Sequence, residues 1–181
     1  MCWGIKVLVR RNTLGITNNK QKMTWLLAAV YIFILVWLIF FKMAMPSEIP
    51  YLDHIRNINL IPFYYDNETS GHAAEVIKNV ILFIPLGLYL RIMGLSWRKA
   101  IVIGAALSAV LEILQYIFGV GASDITDLIT NTLGTAVGVG IHASLSICFK
   151  KKENLNKVLN VIALVCTVLM MGMIAILLVA N

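Results

Sequence analysis

The chain has 181 residues, of which 60% are hydrophobic and only 13% are charged. A soluble globular domain carries about a quarter charged residues, so the composition excludes that class and predicts an integral membrane protein. A net charge of +6 would also suit a nucleic-acid-binding protein, but the basic residues follow a membrane topology instead. Three scattered cysteines predict neither a disulfide framework nor a metal site.

Apolar segments of membrane-spanning length follow a polar, basic tail at residues 1–23. Whether translation starts at Met1 or at Met23 is left open. Each segment is long enough to cross a hydrocarbon core of about 30 Å as a helix. The second segment contains Pro85, which membrane helices tolerate as a kink. The fifth is almost purely apolar and is interpreted as a lipid-facing anchor helix. The predicted fold is therefore all-α, a polytopic bundle of about five transmembrane helices at residues 24–41, 73–93, 98–118, 124–149 and 155–180.

The long segment between the first two spans, residues 42–72, is predicted to be a loop. It holds three of the four prolines and an aromatic cluster at 63–65. Because Tyr and Trp favour the headgroup level, residues 59–65 are predicted to lie on or in the membrane interface. The cluster is interpreted either as an ordinary interfacial belt or as a binding surface.

The distribution of Lys and Arg predicts the orientation. Five lie in the tail, three in the 91–99 turn and four in the 150–157 turn, whereas the opposite side has only Lys42 and Arg56. Loops rich in Lys and Arg stay in the cytoplasm. The N-terminus is therefore predicted inside and the C-terminus outside.

Polar side chains occur at a common depth in three of the predicted spans. They are Glu75, Lys78 and Asn79 in the second span, Ser108, Glu112 and Gln115 in the third, and Asp124, Asp127 and Asn131 in the fourth. Spacings of three, four and seven residues place the last two sets on single helix faces. The second-span residues lie in the outer third of that span. At 1.5 Å per residue, Glu112 lies about 9 Å from the outer end, and the fourth-span residues reach about 10 Å inward. A carboxylate costs roughly 2.5–3.5 kcal/mol at a bilayer centre, so such residues need partners or water. The spacing therefore predicts a shared cavity that opens to the outside.

Several of these residues also have a structural explanation. Lys78 and Glu112 are interpreted either as a buried ion pair or as part of a site. Asp124 is more simply the N-cap of the fourth helix. Gln115 and Ser108 would also serve as hydrogen bonds between helices. Capping does not explain Asp127 and Asn131, which lie deeper in the fourth span.

Small residues at four-residue spacing predict close helix packing. Gly134 and Gly138 form a GxxxG step, and Gly104 with Ser108 forms a small-xxx-small step. Such steps let two helix backbones approach each other, and they say nothing about chemistry.

Four ordered motifs resemble the VanZ-like family, small bacterial membrane proteins named for a member of a glycopeptide-resistance cluster. The resemblance covers residues 57–140 and includes none of the first or fifth span. It implies a membrane domain at 24–149 in the bacterial cytoplasmic membrane and lower susceptibility to teicoplanin and related lipoglycopeptides, with no settled mechanism. The motifs are Asn59-x-x-Pro62-Phe63, Asn79-x-x-x-Phe83-x-Pro85-x-Gly87, Ser108-x-x-x-Glu112-x-x-Gln115 and Asp124-x-x-Asp127-x-x-x-Asn131-x-x-Gly134.

Three functional hypotheses follow. In the first, the outward cavity binds an amphiphilic envelope component, such as a lipid-linked cell-wall precursor, or the antibiotic itself. In the second, the clustered carboxylates serve a membrane enzyme that modifies a lipid-linked or peptidoglycan-precursor headgroup. Against the enzyme hypothesis, the sequence contains no recognisable nucleophile motif, and the catalytic residues are unknown. Transport is the third, and the absence of an internal repeat disfavours it.

The lipid bilayer is the predicted partner, and no nucleic acid, cofactor or metal is predicted to bind. Whether the protein forms a homo-oligomer is left open. The predicted ligand-binding residues are Asn59, Phe63, Tyr64, Lys78, Asn79, Glu112, Gln115, Asp124, Asp127 and Asn131.

Overall fold

The computed structural model describes residues 22–40, 57–64, 69–120, 122–149 and 152–179. The tail at 1–21, most of the long loop with Tyr65, and the basic residues at 150–151 lie outside the described residues.

The predicted all-α membrane bundle is confirmed, since the described part of the chain has five helices that each contain a stretch long and apolar enough to cross a membrane. The helices are α1 (Lys22–Phe40), α2 (Thr69–Ile92), α3 (Trp97–Phe118), α4 (Ile125–Cys148) and α5 (Lys152–Val179). Their orientation across the membrane stays a prediction.

Local signals in the sequence set the ends of α3 and α4. The Ser96 hydroxyl accepts a hydrogen bond from the Lys99 N–H at the start of α3. Gly119 ends α3 in a left-handed conformation with φ 66°, which glycine adopts without steric cost. Asp124 caps α4 through the Thr126 N–H. The interpretation of Asp124 as an N-cap is therefore confirmed.

The tightest packing in the bundle joins α2 to α4. A Cβ placed on Gly134 would collide with the Val80 carbonyl, and one on Gly138 would collide with the Ile84 carbonyl. A Cβ on Gly87 would in turn meet the α4 backbone. The glycines thus let the two helix backbones touch. On the neighbouring face of α4, a Cβ on Gly104 of α3 would collide with the side chain at position 135.

Buried tyrosines join α1 and α5 to this pair. The rings of Tyr31 and Tyr89 lie 5.4 Å apart between α1 and α2. The Tyr31 hydroxyl donates to the Leu82 carbonyl, and the Tyr89 hydroxyl lies 3.1 Å from the Thr167 hydroxyl of α5. The rest of α5 exposes many apolar side chains, as a lipid-facing helix would. They include Val161, Leu164, Val165, Val168, Leu169, Met171 and Ile176.

A two-residue parallel strand pair, which the sequence did not predict, attaches the long loop to the bundle. β1 (Ile58–Asn59) pairs with β2 (Ser123–Asp124), which directly precedes α4. The Ser123 N–H also donates to the Asn57 carbonyl at 2.9 Å. The pair holds residues 57–64 at the first turn of α4.

Candidate functional site

A small pocket lies where α1 and α3 end and α2 and α4 begin. Its volume is about 70 Å³. Leu38 and Ile39 at the end of α1 form its apolar wall. Three other helices supply its polar lining, which consists of Glu75, Lys78, Asn79, Gln115 and Asp127. Four of the predicted ligand-binding residues, Lys78, Asn79, Gln115 and Asp127, therefore meet around one pocket.

Gln115 forms the most buried polar part of the lining, with 1% of its surface exposed. Its Nε2 donates to the Ile39 carbonyl at 2.8 Å and to the Phe40 carbonyl at 3.4 Å. Because carbonyl oxygens only accept, these contacts determine which amide atom faces α1. Oε1 is then a buried acceptor, and it has no hydrogen-bond partner among the described residues.

Asn79 and Asp127 join α2 to α4 beside the pocket. The Asn79 Nδ2 donates to the Asp127 Oδ1 at 2.7 Å. A hydrogen bond to an ionised acceptor is short and is stronger than a neutral one. Asp127 also lies in the first turn of α4, where the helix dipole favours a negative charge. The contact therefore holds a carboxylate in a set position at the wall of the pocket.

The more exposed part of the lining carries Lys78 and Glu75. The Glu75 side chain is 61% exposed and lies 3.7 Å from the His72 Nδ1. Lys78 is exposed, and within the described part of the chain its ammonium group forms no ion pair or hydrogen bond. The alternative of a Lys78–Glu112 ion pair is therefore wrong.

Glu112 and Asp124 lie outside this lining and join three segments of the chain. The Glu112 Oε2 accepts from the Asp124 N–H at 2.9 Å. Asp124 in turn accepts from the Thr126 N–H at 2.7 Å and from the Asn59 Nδ2 at 3.2 Å. These contacts attach the end of α3, the loop and the start of α4 to one another.

Asn131 and Ser108 also lie apart from the pocket, within the interface between α3 and α4. Both are fully buried, and the Asn131 Nδ2 donates to the Ser108 Oγ at 2.9 Å. This is the interhelical hydrogen bond that the structural interpretation of Ser108 predicted.

The loop at 57–64 presents its apolar side chains outward. Phe63 adopts a left-handed conformation with φ 57°, and its N–H donates to the Thr126 hydroxyl at 3.0 Å. Asn59 accepts from the Ile61 N–H at 3.1 Å and donates to the Tyr64 carbonyl at 3.3 Å. Its large hydrophobic side chains are all at least half exposed, namely Ile58, Leu60, Ile61, Phe63 and Tyr64.

Comparison with known proteins identifies the family. The family model VanZ/LLP1 matches residues 28–149. The chain belongs to the VanZ/LLP1 family. It is also 36% identical over 149 residues to Protein VanZ of Enterococcus faecium, a match that covers 80% of this chain and 88% of that protein. No solved structure matches it.

The VanZ/LLP1 match contains every residue of the pocket lining. It runs from α1 to the end of α4 and does not include α5. Three lining residues, Glu75, Leu38 and Ile39, were not predicted from the sequence as binding residues. A signal for Glu75 was present, since it lies three and four residues before Lys78 and Asn79. The two α1 residues carry no such signal, because an apolar residue in a membrane helix is ordinary.

Proposed function

We propose that this protein lowers susceptibility to teicoplanin and related lipoglycopeptides by binding an amphiphilic envelope component, or the antibiotic, in the pocket. The observation that carries the proposal is the polar pocket itself, at one end of a VanZ/LLP1 membrane bundle. Ionisable residues within membrane helices are functional candidates by default. Here Lys78 and Asp127 both line one pocket.

The predicted topology supports access from outside the cell. The basic 91–99 turn joins α2 to α3 at the end of the bundle opposite the pocket. The positive-inside rule assigns that turn to the cytoplasm, so the pocket would open at the outer surface of the cytoplasmic membrane. A glycopeptide and the outer parts of envelope lipids are both present there.

The lining suits a ligand with polar and apolar parts. Lys78 offers a cation to a phosphate or carboxylate, while Asp127 accepts hydrogen bonds. The exposed apolar side chains at 57–64 lie at the same first turn of α4 that carries Asp127. An amphiphile would therefore meet a polar pocket and an apolar surface side by side.

The test uses two carboxylate-to-amide substitutions, one inside the pocket and one outside it. A teicoplanin-sensitive Gram-positive host would express the full chain as wild type, Asp127→Asn or Glu112→Gln at equal membrane abundance. Asp127→Asn removes a charged acceptor from the pocket, which costs about 1.5–3 kcal/mol of binding, or roughly 10- to 100-fold in affinity. Glu112→Gln keeps an oxygen that accepts from the Asp124 N–H. We expect protection by wild type and Glu112→Gln, and its loss in Asp127→Asn.

Two results would contradict the proposal. Equal protection by all three proteins would mean that the pocket carboxylate has no part in resistance. No protection by the wild type at confirmed abundance would reject the function for this protein.

A further inference from the structure

The pocket contains a chemical pattern that narrows the class of ligand. Building on the proposed function, we propose that the pocket binds the primary ammonium group of a phospholipid headgroup, with the headgroup phosphate at Lys78. The relevant chemistry is an ammonium group joined by a short linker to a phosphate.

The charges of the lining favour a cation in the pocket. Two of its residues, Glu75 and Asp127, are carboxylates, and Lys78 is its one cation among the described residues. The formal charge of the described lining is therefore negative. Its buried wall also carries the Gln115 Oε1, an acceptor without a hydrogen-bond partner among the described residues. A primary ammonium group has three donors and no acceptor, which is the complement of such a wall.

The order of these groups from the inside outward matches the headgroup. Gln115 is buried, Asp127 is half-buried, and Lys78 is exposed. A headgroup that enters with its amine first would place the ammonium group at the acceptors and the phosphate at Lys78. Lysine binds phosphate as a point charge and does not need bidentate geometry. A headgroup without the amine would provide no N–H donors for the Gln115 Oε1 and the Asp127 carboxylate.

The pocket volume limits what can enter. A buried water needs about 10–15 Å³ of cavity volume, so about 70 Å³ admits a group of roughly five non-hydrogen atoms. An aminoethyl group has three such atoms. A quaternary trimethylammonium group is larger and has no N–H donor, and a whole glycopeptide cannot enter. The rest of the ligand must therefore lie outside the pocket.

The apolar surface near the pocket favours a lipid, and not a free headgroup, as the molecule that carries the ammonium and phosphate groups. Five exposed apolar side chains at 57–64 lie beside the first turn of α4. Backbone pairing with β2 and the hydrogen bond from Phe63 to Thr126 hold that surface in place. A free phosphoethanolamine would leave this surface unused, whereas acyl chains would cover it.

The experiment compares headgroups on identical acyl chains. Purified full-length protein in detergent would be titrated with phosphatidylethanolamine, phosphatidylcholine or phosphatidylglycerol, and bound lipid would be counted by native mass spectrometry. We expect phosphatidylethanolamine to bind roughly tenfold or more tightly than phosphatidylcholine, which lacks the N–H donors. We also expect it to bind more tightly than phosphatidylglycerol, which lacks the cation. Water-soluble glycerophosphoethanolamine should bind much more weakly than the lipid.

Variants connect this selectivity to the pocket. Asp127→Asn keeps an oxygen for the Asn79 Nδ2 and should abolish the preference for phosphatidylethanolamine over phosphatidylcholine. Lys78→Ala should weaken binding of all three lipids, since each has a phosphate. Lys99→Ala is the matched control, because it removes an exposed lysine at the opposite end of the bundle.

Several results would overturn the inference. Equal binding of the ethanolamine and choline lipids, tighter binding of the glycerol lipid, or selectivity that survives Asp127→Asn would exclude the ammonium group as the recognised part. Soluble headgroup binding as tightly as lipid would exclude a lipid source. If the protein does not prefer phosphatidylethanolamine but Asp127→Asn still loses teicoplanin protection, only the proposed ligand class is rejected. If selectivity is present and the wild type does not protect, only the resistance function fails.

Discussion

Substitution of Gly138 by alanine should separate α2 from α4. The added Cβ would collide with the Ile84 carbonyl oxygen and would lie 3.0 Å from the Ile84 carbonyl carbon and 3.1 Å from the Gly87 Cα. All three are backbone atoms, so no side chain can rotate away. The helices must therefore move apart. Gly140 provides the matched control, since a Cβ there meets nothing within 4 Å.

The expected magnitude follows from two opposing terms. Alanine in place of glycine favours a helix by about 0.5–1 kcal/mol at either position. Forcing an extra carbon into a packed interface costs about 1–3 kcal/mol, and occasionally more. Gly140→Ala should therefore be neutral or slightly stabilising. Gly138→Ala should be less stable than Gly140→Ala by about 1–3 kcal/mol, because the helix-propensity gain is common to both.

The assay is reversible unfolding of the purified full-length protein in mixed micelles with increasing SDS, followed by tryptophan fluorescence. The two variants are compared at matched detergent and protein concentration. Equal midpoints for Gly138→Ala and Gly140→Ala would refute the close backbone contact. A lower midpoint for Gly140→Ala than for Gly138→Ala would refute it more strongly, since open space surrounds Gly140.

Two further predictions concern contacts outside the pocket lining. Asp124→Ala removes the α4 cap and the acceptor for Asn59, so we expect about 0.5–2 kcal/mol lower stability and faster amide exchange at 57–64. Asp124→Asn keeps a capping oxygen and should preserve both the stability and the slow exchange. Unchanged amide exchange in Asp124→Ala would contradict the role of Asp124 in holding residues 57–64. Ser108→Ala removes the acceptor of the buried Asn131 amide, so we expect a loss of about 0.6 kcal/mol of stability, and of at most about 1.7, in the same SDS assay. An unfolding midpoint equal to that of the wild type would contradict this contact.

Local features of the sequence were enough to predict the membrane helices of the described chain and the position of the polar residues along each helix. Both depend on local quantities, namely the length of each apolar run and the fixed rise of 1.5 Å per residue. The Asp124 cap was equally readable, because a capping side chain bonds to an N–H two residues away in its own chain. The motifs around these residues also indicated the family correctly.

Which polar residues line the pocket could be read only from the packing of the helices. Glu112 and Gln115 lie on one face of α3 within a single turn, yet Glu112 bonds to the Asp124 backbone whereas Gln115 bonds to α1 and lines the pocket. Helical periodicity determines a residue's face and depth, but not which neighbouring segment lies against it. That choice depends on contacts between residues far apart in the chain, such as Gly138 of α4 against Ile84 of α2. For the same reason the strand pair between residues 58–59 and 123–124 could not be predicted from either segment alone.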